Sequence, residues 1–296
     1  MAEKISVHDA SQNGDLGTLR SLIENGANIN VKNKNGFTPL HLAKNLETAK
    51  LLVQSGADVN AREKDSGNTA LHVSIQFNQT RIAKLLIENG ADINAKNDSL
   101  RTPIFFADRE STLKFLLESG AILDDQKDAF GRTPLYYSIL HEKLKVAKLL
   151  IQSGADVNIR DENGNPPLIF AIRCELFEFS KLLIEQGADP NLKDEKDEKT
   201  PLMFLLGGTF LKKNLDLAES ILQKGADIDA TSNSGSTALH FATFHNDLQA
   251  VRFLLERGAK TNLKNQFGKT PFDIAIENDH VQIVLLLKEF SESKNS

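Results

Sequence analysis

Residues 237–262 read TALHFATFHNDLQAVRFLLERGAKTN, and the order of residue types in this stretch sets the fold. Thr237 is a helix N-cap, whose side-chain oxygen can take one of the backbone N–H groups that a first turn leaves unpaired. Where proline stands next in the equivalent place, as at Pro39, it fills a first-turn position at which its missing N–H costs nothing. Leu239, Ala242 and Thr243 fall near one face of the helix that follows. A polar break at His245–Asp247 separates it from a second helix carrying Val251, Leu254 and Leu255 at helical spacing. Gly258 is the left-handed C-cap, and Ala259 to Asn262 reads as an extended turn. The stretch predicts two short antiparallel helices and a hairpin-like loop. Such a unit cannot bury its apolar face alone and needs neighbours stacked on it.

Those neighbours are written along the chain. Gly-Ala recurs eight times, beginning at Gly26, Gly56, Gly90, Gly120, Gly154, Gly187, Gly225 and Gly258, at intervals of 30, 34, 30, 34, 33, 38 and 33 residues. Twelve or thirteen residues after each glycine comes a second mark: TPLH at Thr38, TALH at Thr69, TPIF at Thr102 and TPLY at Thr133. It continues as PPLI at Pro166, TPLM at Thr200, TALH at Thr237 and TPFD at Thr270. Of 18 glycines, eight sit in Gly-Ala and six lie two residues before the threonine mark, while six of eight prolines occupy its second position. The repeat itself places both residue types, one for positive φ and one for a preset helix start.

On these residues the chain resembles the ankyrin-repeat family: the TPLH-type tetrapeptides, the segments ending GAD-x-N such as Leu150 to Asn158, and the period near 33 residues. The resemblance covers about residues 5 to 290. It implies an all-α, right-handed solenoid of about nine stacked helix-turn-helix units with hairpin-like loops. The phase divides a single domain, 1–296, into a capping repeat 1–34, internal repeats 35–66, 67–99, 100–130, 131–163, 164–197, 198–234 and 235–267, a capping repeat 268–290 and a polar tail 291–296. The first unit has no TPLH and carries polar residues where inner repeats are apolar, as an N-terminal cap requires. The last carries Asp273 in place of the usual histidine and ends without Gly-Ala, which suits a C-terminal cap. Both ends are expected closed, with no stretch left for a further domain.

Three repeats depart from the common length. The threonine mark lies 21 residues before the next Gly-Ala at Thr69, Thr133, Pro166 and Thr237, but 18 at Thr38 and Thr102 and 25 at Thr200. The short repeats have lost about one helical turn at the corner between helices, and Gly207–Asn214 is inserted in the same place. Either this is drift in a tolerant loop or it is a tailored feature, with Gly207-Gly208-Thr209-Phe210 the stronger candidate for the latter.

Composition narrows the function. The 296 residues carry 35 Lys+Arg against 40 Asp+Glu, a net charge of −5, so no basic face for phosphates is expected and nucleic acid is not a partner. No apolar run reaches the 18 residues of a membrane span, the longest lying around Val281–Leu287, and the first residues carry no secretory signal. Cys174, the one cysteine, permits neither an internal disulfide nor a Cys-rich zinc site. A soluble monomer of a reducing compartment is expected, cytoplasmic or, if the source is an intracellular bacterium, delivered into a host cytoplasm.

A search for chemistry returns no catalytic, cofactor-binding or metal-binding set, so the chain is read as a non-enzyme without cofactors. Gly268-Lys269-Thr270 lacks the glycine a phosphate loop needs five residues earlier, where Leu263 stands. His41, His72 and His240 occupy the TPLH position, where the resemblance implies a structural imidazole linking neighbouring loops. His8, His141, His245 and His280 are scattered. Cys174, amid Phe170, Ile172 and Phe177, is expected to be a buried inert thiol, and the carboxylate pairs Asp124-Asp125 and Asp194-Glu195 lie in polar turns.

Binding is the remaining function class. The resemblance implies a partner held on the concave face, by loop tips and the exposed side of the first helices. The motif phase puts Lys34 and Phe37, Arg101, Phe130 and Arg132, Lys199, and Phe267 and Lys269 at tips. The aromatics Phe37, Phe130 and Phe267 either anchor a partner or fold onto a neighbouring loop. Arg101, Arg132, Lys199 and Lys269 form an interrupted basic line: a solvated face, or a seat for an acidic partner. Four central tetrapeptides replace His with Phe105, Tyr136, Ile169 and Met203. Either the local core is rebuilt or an apolar patch opens there, and Phe105, Tyr136 and Met203 join the candidate binding residues. The expected function is a non-enzymatic interaction module or scaffold for a protein or peptide. The resemblance implies two alternatives beside it: a substrate of asparaginyl hydroxylation at Asn60 and Asn158, each eight residues after a leucine (Leu52, Leu150), and a bacterial effector acting on host proteins.

Overall fold

A computed structural model of the chain describes residues 5–123, 126–207 and 215–293. It forms two compact units, residues 1–155 and 156–296. In the first, five helical pairs follow one another: Val7–Asn13 with Leu16–Glu24, Pro39–Leu42 with Leu46–Gln54, Ala70–Gln76 with Thr80–Glu88, Pro103–Phe106 with Glu110–Glu118, and Pro134–Leu140 with Leu144–Gln152. The second holds four: Pro167–Arg173 with Phe177–Glu185, Pro201–Gly207 with Leu215–Gln223, Ala238–Phe244 with Leu248–Glu256, and Pro271–Glu277 with Val281–Ser293. No β-strand occurs among the described residues, only an isolated bridge between Arg62 and Thr69. The architecture is all-α, as the repeats predicted.

The full first helices have seven residues, far below the length at which a helix persists alone. Caps and packing hold them. Thr133 and Thr237 accept a hydrogen bond from the backbone N–H three residues on, and Thr270 and Asp273 form a reciprocal capping box. Leu71, Leu135, Leu168, Leu202 and Leu239, two residues after the mark, are at most 1% exposed. From the second helices Leu52, Leu86, Leu116, Leu150, Ile221 and Leu254 are equally buried. Each such side chain contributes roughly 1.5–3 kcal/mol against its exposed state, and neighbouring repeats supply much of the cover.

Polar bridges tie repeat to repeat. The asparagine of the GAD-x-N turn reaches the next turn: Asn60 Nδ2 donates to the Gly90 carbonyl at 3.0 Å, and its Oδ1 accepts from the Asp92 N–H at 2.9 Å. Asn30 and Asn94 repeat the arrangement in the first unit, and Asn191 does so in the second. The Gly-Ala glycines stand at φ between 75° and 97°, with no atom within 4 Å of a would-be Cβ at Gly56, Gly154 or Gly258. Glycine is needed there for the backbone angle alone.

The short repeats lose their residues from the first helix. Pro39–Leu42 and Pro103–Phe106 are single 3₁₀ turns, while the second helices Leu46–Gln54 and Glu110–Glu118 keep their full nine residues. In five of the other repeats the corner is made by one left-handed non-glycine residue, Asn78, Glu142, Glu175, Asn246 or Asp279, at φ 54–57°. Of the insertion Gly207–Asn214, Gly207 ends the helix Pro201–Gly207, while residues 208–214 and the pair Asp124-Asp125 lie outside the described residues.

Two expectations are corrected. Cys174 is exposed, because it caps the end of Pro167–Arg173, two residues beyond the fully buried Ile172. Burial of its sulfur is still enough to raise the thiol pKa above its ordinary value, so the thiolate is disfavoured at neutral pH. His8 is not scattered: its Nε2–H is shared by the carbonyls of Val31 and Phe37, both at 3.0 Å. The Phe37 carbonyl stands directly before a threonine mark, so the first repeat has its own loop-linking histidine.

Candidate partner-binding face

In each unit the hairpin tips and the first helices share one face, and the position of a side chain along the first helix decides whether it reaches that face. The residue three after the mark turns inward. His41, His72 and His240 are buried there, each accepting the threonine N–H at Nδ1 (3.2, 3.1 and 3.1 Å). Their Nε2–H groups therefore donate to the next hairpin, at the carbonyls of Asn68, Arg101 and Lys269. Both ring nitrogens are committed in the neutral form. Desolvation lowers all three pKa values, that of His72 to about 4.

Phe105, Tyr136, Ile169 and Met203 occupy the same slot and are 5%, 1%, 0% and 2% exposed. Of the two alternatives at Phe105, Tyr136 and Met203, the structure has the rebuilt core: these side chains fill the place of the imidazole, so they open no apolar patch and do not reach the surface as binding residues. The residue that reaches the surface is the next one. Phe106 and Tyr137 in the first unit, and Phe170, Phe204 and Phe241 in the second, stand four residues after the mark and are half-buried. A helix advances about 100° per residue, so a one-residue step carries a side chain from core to face.

In residues 156–296 this aromatic row meets the tips. Phe204 and Phe241 flank the Lys199 ammonium, whose nitrogen lies 5.8 and 4.9 Å from their ring centres. Phe241, Phe244, Phe267 and Ile274 line an open cavity of about 300 Å³, with Lys269 and Glu277 ion-paired at its rim. Phe244 is 57% and Phe267 70% exposed. A second hollow of about 540 Å³, between Phe170 and Phe204, is lined by Arg173, Lys196, Asp161 and Asp197.

In residues 1–155 the tip arginines converge. Arg101 Nε and Nη2 both lie 3.3 Å from Asp128 Oδ2, and Arg132 Nε lies 3.7 Å from the same oxygen. The Asp128 side chain has no exposed surface, and its Oδ1 accepts the backbone N–H groups of Phe130 and Arg132. Arg101 stacks over Tyr137 at 4.7 Å, and Arg132 over Phe130 at 4.3 Å.

The basic line is therefore not a row of free cations: Lys199 also pairs with Asp197 at 3.4 Å. Phe37 turns its ring edge onto His41 at 5.7 Å and is half-buried, whereas Lys34 is exposed. Asn60 is an exposed bridge between turns, and Asn158 plays the same part by accepting the Asp189 N–H at 2.9 Å. What the sequence reading missed was Phe204, Phe241 and Phe244. Their signal was the run of large apolar residues four and seven places after the mark.

A family profile described as "Ankyrin repeats (3 copies)" matches residues 7–97, 104–194 and 208–296. Among curated proteins the chain is 28% identical over 188 residues to human "SH3 and multiple ankyrin repeat domains protein 2", covering 63% of this chain and 8% of that protein. It is 33% identical over 98 residues to the Caenorhabditis elegans "Transient receptor potential cation channel subfamily A member 1 homolog", covering 33% and 8%. Human "Inversin" is 28% identical over 162 residues, covering 55% and 15%. The chain thus spans a small fraction of the length of these relatives.

Proposed function

We propose that this chain, which belongs to the ankyrin-repeat family, holds a protein or peptide partner on the face made by its hairpin tips and first helices, without catalysis. The family is a general protein–protein interaction module, and the observation that carries the reading to particular residues is the cavity among Phe241, Phe244, Phe267 and Ile274. Two phenylalanines more than half exposed lose free energy in water and regain it when an apolar side chain covers them. The walls are fixed in advance: Phe241 and Phe244 stand on a capped helix, and the tip bearing Phe267 is closed by Asn265, whose Oδ1 accepts the N–H groups of Phe267 and Lys269. Docking then needs little reorganisation, which keeps its entropic cost low. Asn265, Asn278 and the Lys269–Glu277 pair supply a polar rim that fixes orientation.

The test is affinity capture from extract, with the wild type beside a Phe244→Ala/Phe267→Ala variant of equal thermal stability. A partner retained by the wild type and lost by the variant supports the site. Equal recovery by both baits places binding elsewhere.

A further inference from the structure

The paired tip arginines of the first unit have donors left over. Asp128 Oδ2 takes Nε and Nη2 of Arg101 and lies 3.7 Å from Nε of Arg132, so Arg101 Nη1 and both terminal amino groups of Arg132 donate to no group among the described residues. Both arginine side chains are largely covered, 21% and 19% exposed, and each guanidinium carbon lies over a ring. Among the described residues, two cations against one buried carboxylate leave one positive charge without a carboxylate of its own. The neighbouring Lys143–Asp108 pair, 3.7 Å apart, adds none. His141, its ring tilted against Tyr137 with centres 4.2 Å apart, adds none either: burial first, and then the charges of Arg101, Lys143 and Arg132, hold its pKa below the ordinary value.

We propose that Arg101 and Arg132, fixed by Asp128, form a seat for one carboxylate side chain, an aspartate or glutamate of an acidic peptide partner. The proposal rests on the reading of the tip face as a docking surface, but it uses none of the residues around Phe244 and Phe267. A guanidinium edge matches a carboxylate in two parallel hydrogen bonds, and a seat already held by Asp128 loses little side-chain freedom on binding. One carboxylate brings the cluster to neutrality, whereas a dianionic phosphate would overshoot it. The 44% exposed Phe130 beside Arg132 then offers apolar cover to the residue next to the acid.

The experiment follows the arginine Nε–H signals of the full chain by NMR, at constant ionic strength. The probe is N-acetyl-glutamate methylamide, with N-acetyl-glutamine methylamide and inorganic phosphate as comparisons. The Arg101 and Arg132 signals should move together along one saturable curve with the glutamate probe. Affinity for phosphate should be lower by about fivefold or more, and the glutamine probe should move neither signal. Arg132→Gln should abolish saturation at Arg101, while Arg132→Lys, which keeps the charge and loses the fork, should weaken it; both variants must keep the wild-type backbone spectrum. Unsaturable shifts, an equal response to the glutamine probe, tighter binding of phosphate, or saturation that survives Arg132→Gln would each overturn the seat. None of these outcomes bears on Phe244 and Phe267, so failure here leaves the proposed function standing.

Discussion

Leu100 and Glu198 sit where the other hairpins have glycine, two residues before the threonine mark, at φ 58° and 51°. An L-residue in that region costs roughly 1–2 kcal/mol, which glycine avoids, less what glycine adds to the freedom of the unfolded chain. Leu100→Gly should therefore stabilise the protein by about 0.5–1 kcal/mol in urea unfolding, since the 46% exposed side chain gives up little burial. A lower midpoint would mean the leucine contacts outweigh the strain. The histidines make a second residue-scale prediction. Burial depresses the His72 pKa to about 4, so the unfolded chain binds the proton more readily. Its stabilisation is complete above the unfolded value near 6.5 and is lost as pH falls toward the folded one, by at most about 1.4 kcal/mol per pH unit. Unfolding midpoints should drop between pH 7 and pH 5, and His72→Gln should flatten that drop. Single positions were legible where the repeat dictates them, as with His41 and Gly258. They were illegible where a neighbour in space decides: no spacing told that Arg101 and Arg132 share Asp128, or that His8 reaches Phe37.

At the scale of the element, what the sequence shows is periodicity, and periodicity fixes which helices exist but not which residue on them meets solvent. The residues Phe105, Tyr136 and Met203 drew notice because they break a motif; the face is lined by their successors Phe106, Tyr137 and Phe204. Loss of three residues from the spacing was equally readable, yet only the structure shows that a first helix becomes a 3₁₀ turn while the second stays whole. The asparagine bridges carry the load between turns. Asn60→Ala removes the partners of the Gly90 carbonyl and the Asp92 N–H, so it should cost about 1–3 kcal/mol and speed hydrogen exchange at Asp92. Unchanged exchange at Asp92 would show that water replaces the bridge at no cost.

For the molecule as a whole, the ankyrin-repeat architecture was legible because every unit restates the same local rules from end to end. The use of the surface was legible only as a class. Nothing periodic says which tips matter, and the aromatic cavity of residues 156–296 emerges from side chains of separate elements meeting at one place. Most exposed positions in such an array are interchangeable, whereas a few apolar anchors should dominate binding. The measurement that tests this most directly is calorimetric titration of a captured partner into the wild type, Phe244→Ala/Phe267→Ala, and the control Lys148→Ala/Lys181→Ala on exposed second-helix positions. The phenylalanine pair should cost about 2 kcal/mol or more, roughly thirtyfold in affinity, and the lysine pair almost nothing. Weakened binding in the lysine variant with full affinity in the phenylalanine variant would contradict the assignment of this face.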